Sequence, residues 1–213
     1  MNQQSNKNIC VMIDARYLNG KTSGIGRYTE RLIENLLEVD DSLRLELITS
    51  PSHPRPVEHE RVGCQTFGSV PNSLRTRFAL SKFVDFDGVD LFHSPFNILP
   101  RGLPVPAIFT LHDIMWLLDA NYCTDKLWRK AVTGTFYKNF IPRSAREASR
   151  ILTVSDHSRK AIEEYFPDKK GQVFVTYNGL DPFFFPVDDA DGWPLIEGHI
   201  PAGKKFVLVV GQG

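Results

Sequence analysis

The residues best suited to chemistry fall in one stretch, Asp14 to Tyr28, which holds Gly20, Gly24 and Gly26. A compact apolar run, Ile9 to Ile13, precedes it and reads as a buried strand. Tyr28, Leu32, Ile33, Leu36 and Leu37 follow at helical spacing. The order strand, glycine-rich loop, helix lets backbone approach a ligand and turns the free N–H groups of a helix N-terminus outward. The chemistry implied is anion binding, phosphate above all. It is not the dinucleotide fingerprint, because Thr29 stands where the third glycine would be, and no Lys-Ser/Thr pair completes a phosphate-binding P-loop. The structural alternative is a tight strand-to-helix turn that needs positive φ angles. Asp14, His93, His112 and Ser155 are the other polar groups expected at the C-terminal ends of strands.

The rest of the chain predicts the elements that must hold these groups. Leu43 to Thr49 reads as a second strand and Val62 to Phe67 as a short third. Ser73 to Val84 reads as a helix with Leu74, Phe78, Leu80 and Val84 apolar; its Arg75, Arg77 and Lys82 read as a solvated basic face. Val89 to His93 is a fourth strand, running into a proline-bounded loop, Ser94 to Pro100. Pro106 to Leu111 is a fifth, nearly all apolar, as a strand covered on both faces of a parallel sheet would be. His112 and Asp113 follow it, Asp113 as the holder of the next turn. Thr124 to Ala148 is a long amphipathic stretch, capped by Thr124 or Asp125, in which Pro142 should kink or divide the helix. Arg150 to Val154 is a strand, Ser155 the N-cap of the next helix and Pro167 its end. Gln172 to Thr176 is a further strand, and Tyr177 to Asp181 a turn with Gly179 expected at positive φ. Lys204 to Gly213 resembles a new strand and glycine turn. The expected division is therefore a first domain over 1–203 and, over 204–213, the first strand of a truncated second one.

Strands alternating with helices predict an α/β fold with a Rossmann-like, doubly wound parallel sheet. Ligands in such sheets sit outside the C-terminal strand ends, so residues distant in sequence share one rim. With 25 basic and 25 acidic residues among 213, the formal net charge is zero, and nothing global argues for nucleic acid. Cys10, Cys64 and Cys123 are odd in number and lack Cys-x-x-Cys spacing, which favours a reduced, cytoplasmic protein. The polar N-terminus is followed by no apolar h-region, so no signal peptide is expected, and no apolar run is long enough to span a bilayer. No metal-ligand spacing appears, and no cofactor is expected.

Six motifs in order carry a resemblance: Ile13 to Arg16, Ser23 to Tyr28, Phe92 to Pro95, Thr110 to Asp113, Thr153 to Ser158 and Tyr177 to Asp181. Together they resemble the N-terminal domain of family 4 retaining glycosyltransferases, a pattern similar to that of bacterial sugar transferases, often mannosyltransferases of surface polysaccharide assembly. The resemblance implies the N-terminal half of a GT-B fold, two Rossmann-like domains facing across a cleft. It implies transfer of a mannose-like sugar from a nucleotide-diphosphate sugar, GDP-mannose among the candidates, to a glycan or lipid-linked acceptor with retention. It carries donor binding to Gly24, Ile25 and Gly26, and a place beside the reacting centre to His112. The alternative for His112 is a satisfied histidine at the next turn. Asp14 and Arg16 either pair to steady the loop or touch acceptor, and His93 and Asn97 are placed where acceptor would bind.

The family's Glu-x7-Glu motif and its phosphate-binding Arg/Lys pair belong to the C-terminal domain, which this sequence lacks. The 213-residue chain alone is therefore expected to be inactive or nearly so. A different class of reading is a non-catalytic α/β sugar- or phosphate-binding module, or one half of a split enzyme. Lys126, Arg129, Lys130 and Lys138 read either as a peripheral contact with anionic lipid at the inner face of the plasma membrane or as a solvated helix face.

Overall fold

A computed structural model describes residues 8–20, 23–119 and 130–180. The chain divides into two compact units, Met1–Asn178 and Gly179–Gly213; the expected second-domain strand at 204–213 lies outside the described residues.

Seven parallel strands form one sheet in the order β3-β2-β1-β4-β5-β6-β7. They are β1 (Cys10–Asp14), β2 (Arg44–Thr49), β3 (Val62–Thr66), β4 (Leu91–Ser94), β5 (Ala107–Thr110), β6 (Arg150–Thr153) and β7 (Val173–Val175). The helices between them are α1 (Gly24–Val39), α2 (Leu74–Phe83), the single turn α3 (Met115–Leu118), α4 (Thr135–Glu147) and α5 (Asp156–Tyr165). This is the expected Rossmann-like fold. The chain winds outward from β1 through β2 to β3, then returns to lay β4 on the other side of β1. The order reverses between β1 and β4, and that crevice is where such sheets take ligands.

Side chains of successive strand residues go to opposite faces, so the sheet splits the core in two. Ile13, Leu45 and Leu47 pack under α1 with its Ile33 and Leu37. Met12, Ile48, Phe92 and Phe109 pack on the other face with Leu80 of α2 and Ile141 of α4. Both sets are buried, which is why the strands are apolar almost throughout.

Four expectations need correction. Pro142 does not divide its helix: α4 runs through it from Thr135 to Glu147, preceded by a π turn over Lys130–Gly134. The missing N–H costs one bond, which the buried Tyr137, Phe140, Ile141 and Ala145 on the same helix offset by packing. Gly179 is not among the positive-φ glycines, which are Gly20, Gly88, Gly102 and Gly171. The fourth strand is shifted toward Ser94, which places His93 inside the ladder beside Ile13 of β1. Arg77, read as part of a solvated face, has a side chain only 2% exposed. It donates to both carboxylate oxygens of Glu147 at 2.6 Å and to the Leu99 carbonyl at 2.7 Å. Sequence periodicity counts charges as outward and has no means of seeing a carboxylate 70 residues away.

The Arg77–Glu147 pair is lopsided, because the Glu147 side chain is 41% exposed while Arg77 is enclosed. Removing Glu147 strands a buried cation; removing Arg77 leaves a carboxylate that water can solvate. Glu147→Ala is therefore expected to cost about 3 kcal/mol in urea unfolding, and Arg77→Met distinctly less. Equal losses would contradict this account.

Candidate functional site

The loop after β1 begins with a buried ion pair. Arg16 donates through Nε to Asp14 Oδ1 at 2.8 Å and through Nη2 to Oδ2 at 2.5 Å. Its Nη1 donates to the Ser69 carbonyl at 2.8 Å and to Thr76 Oγ1 at 2.9 Å, and the guanidinium lies 5.2 Å from the centre of the Phe67 ring. The end of β1 is thereby bolted to the loop after β3 and to α2. Gly20 then turns the chain at φ 79°, close against the His53 ring.

Ser23 caps α1, its Oγ accepting from the Gly26 N–H at 3.0 Å, and its carbonyl accepts from Arg27 N at 2.9 Å. The Gly24 and Ile25 amides remain in the turn where no carbonyl lies four residues earlier, at the positive end of a 16-residue helix. Neither Gly24 nor Gly26 has positive φ. They are glycines for different reasons. A Cβ on Gly26 would stand 3.0 Å from the Tyr17 carbonyl, whereas one on exposed Gly24 would meet nothing within 4 Å. The fold requires the first and leaves the space around the second open.

His112 follows β5 and is half-buried. Its Nε2 is 3.1 Å from the Pro95 carbonyl, which can only accept, so Nε2 carries the proton and Nδ1 is left as the acceptor nitrogen of the neutral ring. The Tyr28 ring meets it edge-on at 4.9 Å, Phe96 lies at 6.3 Å, and Ser158 Oγ donates to the His112 carbonyl at 3.0 Å. Burial holds its pKa below the ordinary value, so the ring is neutral near pH 7. Asp113 accepts from the Met115 N–H at 2.9 Å and holds the next turn; Ser155 caps α5 by accepting from Ser158 N.

His93 is enclosed under α1. Its Nε2 is 2.9 Å from Thr110 Oγ1, which is 3.1 Å from the Tyr28 hydroxyl. Burial first, and His112 second, push its pKa down to about 4. Tyr28 and Thr110 thus link the glycine loop, β5 and both histidines. Sequence reasoning took Tyr28 for a core position of α1 and missed this; the only cue is that it directly follows the glycine loop. Asn97 is buried, and its Oδ1 lacks a hydrogen-bond partner.

The structure therefore brings Gly24, Ile25, Gly26 and His112 to one rim, joined through Tyr28. Asp14, Arg16, His93 and Asn97 are only 2–4% exposed and present almost no surface to a ligand. An open pocket of about 470 Å³ lies on the β2 side of the glycine loop, lined by Tyr17, Asn19, Ser23, Arg27, Glu30 and His53, and it does not include His112. Among the described residues, no group of three His, Cys, Asp or Glu side chains could hold a metal ion, and no helix is long and apolar enough to cross a membrane.

Two measurements check this geometry. Gly24→Ala should leave unfolding stability within about 0.5 kcal/mol of the parent, while Gly26→Ala should cost about 1–3 kcal/mol through the clash with the Tyr17 carbonyl. His93 gives a pH signature. Unfolded, it takes a proton near pH 6.5; folded, it takes one only at about 4. Between those values the unfolded chain binds more protons, so the stability His93 contributes is complete above pH 6.5 and drains away as pH falls toward 4. That loss amounts to roughly 3 kcal/mol. His112, also lowered by burial, acts in the same direction. Urea unfolding of His93→Gln across this range should show a slope shallower than the parent by about 1 kcal/mol per pH unit.

No curated protein matches the chain. A family model described as Glycosyltransferase Family 4 matches residues 22–183, from the glycine loop past β7. The chain belongs to glycosyltransferase family 4.

Proposed function

We propose that this domain is the acceptor-side half of a retaining transferase that moves a mannose-like sugar from a nucleotide-diphosphate sugar to a glycan or lipid-linked acceptor. The observation that carries the reading is the pairing at the rim: a half-exposed His112, braced by Tyr28, beside the open first turn of α1. Negative charge develops on the leaving phosphate as the sugar departs. The Gly24 and Ile25 amides, fixed at a helix N-terminus, offer it preorganised donors and a favourable dipole. His112 Nδ1, the acceptor nitrogen, would take a hydrogen bond from a hydroxyl of the transferred sugar.

Asp14, Arg16, His93 and Asn97 enter this reading as supports beneath the rim rather than as groups touching acceptor, because their side chains are enclosed. Acceptor contact passes to the pocket beside Tyr17, Asn19, Ser23, Glu30 and His53, whose volume suits a sugar unit. GDP-mannose as donor, retention, a role in polysaccharide assembly and action at the cytoplasmic face rest on the motif resemblance. So does the start of a donor-binding domain at residues 204–213.

A transfer assay with a panel of nucleotide sugars, run on the longest form of the protein that cells make, tests the reading. His112→Ala is expected to lower kcat about 100-fold while His93→Gln at pH 7 loses far less. An unchanged kcat in His112→Ala would remove His112 from the reaction.

A further inference from the structure

Tyr28 stands between the two halves of the proposed site, the first amides of α1 and the His112 imidazole. It is the fourth residue after Gly24, so the two share a face of α1 one turn apart. Its ring runs edge-on against His112, with ring centres 4.9 Å apart and planes at 83°. That contact needs only a ring, which a phenylalanine would supply; the hydroxyl goes elsewhere.

Tyr28 Oη lies 3.1 Å from Thr110 Oγ1, which lies 2.9 Å from His93 Nε2. Thr110 ends β5 and is wholly buried, and His93 of β4 is enclosed beside it. The single proton of the Thr110 hydroxyl cannot go to both neighbours, so at least one of them donates to it. Helix α1 and strands β4 and β5 thus meet in two hydrogen bonds under the rim. Burial pushes the His93 pKa down to about 4 and keeps that ring neutral near pH 7, so the chain holds position rather than charge.

The backbone of β5 makes this hold directional. Leu111 extends the ladder through its N–H to the Leu152 carbonyl at 2.8 Å. Thr110 and His112 therefore stand on the same side of an extended segment, and Tyr28 touches both. His112 is tied at Nε2 to the Pro95 carbonyl and at its own carbonyl to Ser158. Where its acceptor nitrogen Nδ1 points then depends on the rings packed against it, Tyr28 and, at 6.3 Å, Phe96.

We propose that Tyr28 is the positioning residue of the transferase site, acting through His112. Its ring sets the direction of the imidazole. Its hydroxyl, tied to Thr110, sets the spacing between that imidazole and the Gly24 and Ile25 amides. A donor held by phosphate at one end and by a sugar hydroxyl at the other depends on that spacing, because a misplacement of about 1 Å costs roughly 100-fold in rate. The inference rests on the reaction proposed above and names how its two halves are held in register.

Tyr28→Phe keeps the ring and removes the bond. Transfer by the longest form of the protein that cells make should fall about tenfold in kcat, with KM within about twofold of the parent and circular dichroism unchanged. Thr110→Val, of similar shape without the hydroxyl, should lose as much, and Thr110→Ser should recover most of that loss. Added to His112→Ala, Tyr28→Phe should cost nothing further, because its effect passes through the imidazole. An unchanged kcat in Tyr28→Phe, a loss confined to KM, or a full further loss on top of His112→Ala would overturn the proposal. A second readout needs no sugar transfer. In the 213-residue chain, the imidazole ring-proton resonances of both His112 and His93 should move in Tyr28→Phe. Movement of His93 alone would make the hydroxyl a matter of packing beneath the rim and would also overturn the proposal. A protein that transfers no sugar would remove the proposed reaction, and the spectra would still decide whether Tyr28 holds the imidazole.

Discussion

The buried pair between Asp14 and Arg16 is the constraint on which the rim depends. Two residues apart in sequence, they close on each other at the end of the central strand, and Arg16 then reaches across to the loop after β3 and to α2. A guanidinium taken out of water is tolerable only when its donors are met, and leaving one partner alone costs several kcal/mol. The sequence that forms the glycine loop therefore cannot shift without breaking a network anchored on three elements. Direction follows from this: with the end of β1 fixed, Gly20 turns the chain and Ser23 starts α1 where its first amides face outward.

A second chain of contacts carries that order to the chemistry. Tyr28, in the second turn of α1, places its ring on His112 and its hydroxyl on Thr110, which in turn meets His93. The two histidines receive different treatment from the same surroundings. His93 is enclosed and kept neutral, a polar brick between β4 and β5. His112 is held from three sides but only half-buried, with one nitrogen committed to the Pro95 carbonyl and the other left as an acceptor. Aromatic rings continue outward from there, Phe96 to Tyr137, then Phe136 and Phe140 to Phe78, so α2, α4 and the histidine rest on one packed aromatic scaffold.

Much of this was legible in sequence because it depends on local rules. Apolar runs of strand length alternating with amphipathic helices favour a parallel sheet, and Ser155 announces its helix start by its side-chain oxygen; Ser23 and Ser73 turn out to cap α1 and α2 in the same way. What escaped depends on distant partners. Arg77 looked solvated because its carboxylate is 70 residues away. Asp14 and Arg16 were legible as a pair that could steady the loop, and they do pair; His93 and Asn97 read as ligand contacts because polar residues at strand ends usually face the cleft, yet both are enclosed, His93 beside Ile13 in the ladder. Tyr28 looked like an ordinary core residue, and only the fold shows that its hydroxyl has a threonine to meet.

The contrast between satisfied and open groups is what the proposed site rests on, more than residue type. Beneath the rim the buried charged groups are paired, Arg16 with Asp14 and Arg77 through its terminal nitrogens with Glu147, and His93 meets Thr110, while Arg77 Nε, Asn97 Oδ1 and Thr153 Oγ1 are left without a hydrogen bond. At the rim some groups remain open. The first amides of α1 have no helical acceptor, Gly24 has no neighbour that forbids a side chain, and His112 keeps one nitrogen free of the Pro95 carbonyl. On the proposed reading, this edge is where an anion would meet the first amides of α1 and a hydroxyl would meet the imidazole of His112. A sugar diphosphate carries an anion and hydroxyls close together, which is the chemical ground on which the proposed reading places the donor at these residues.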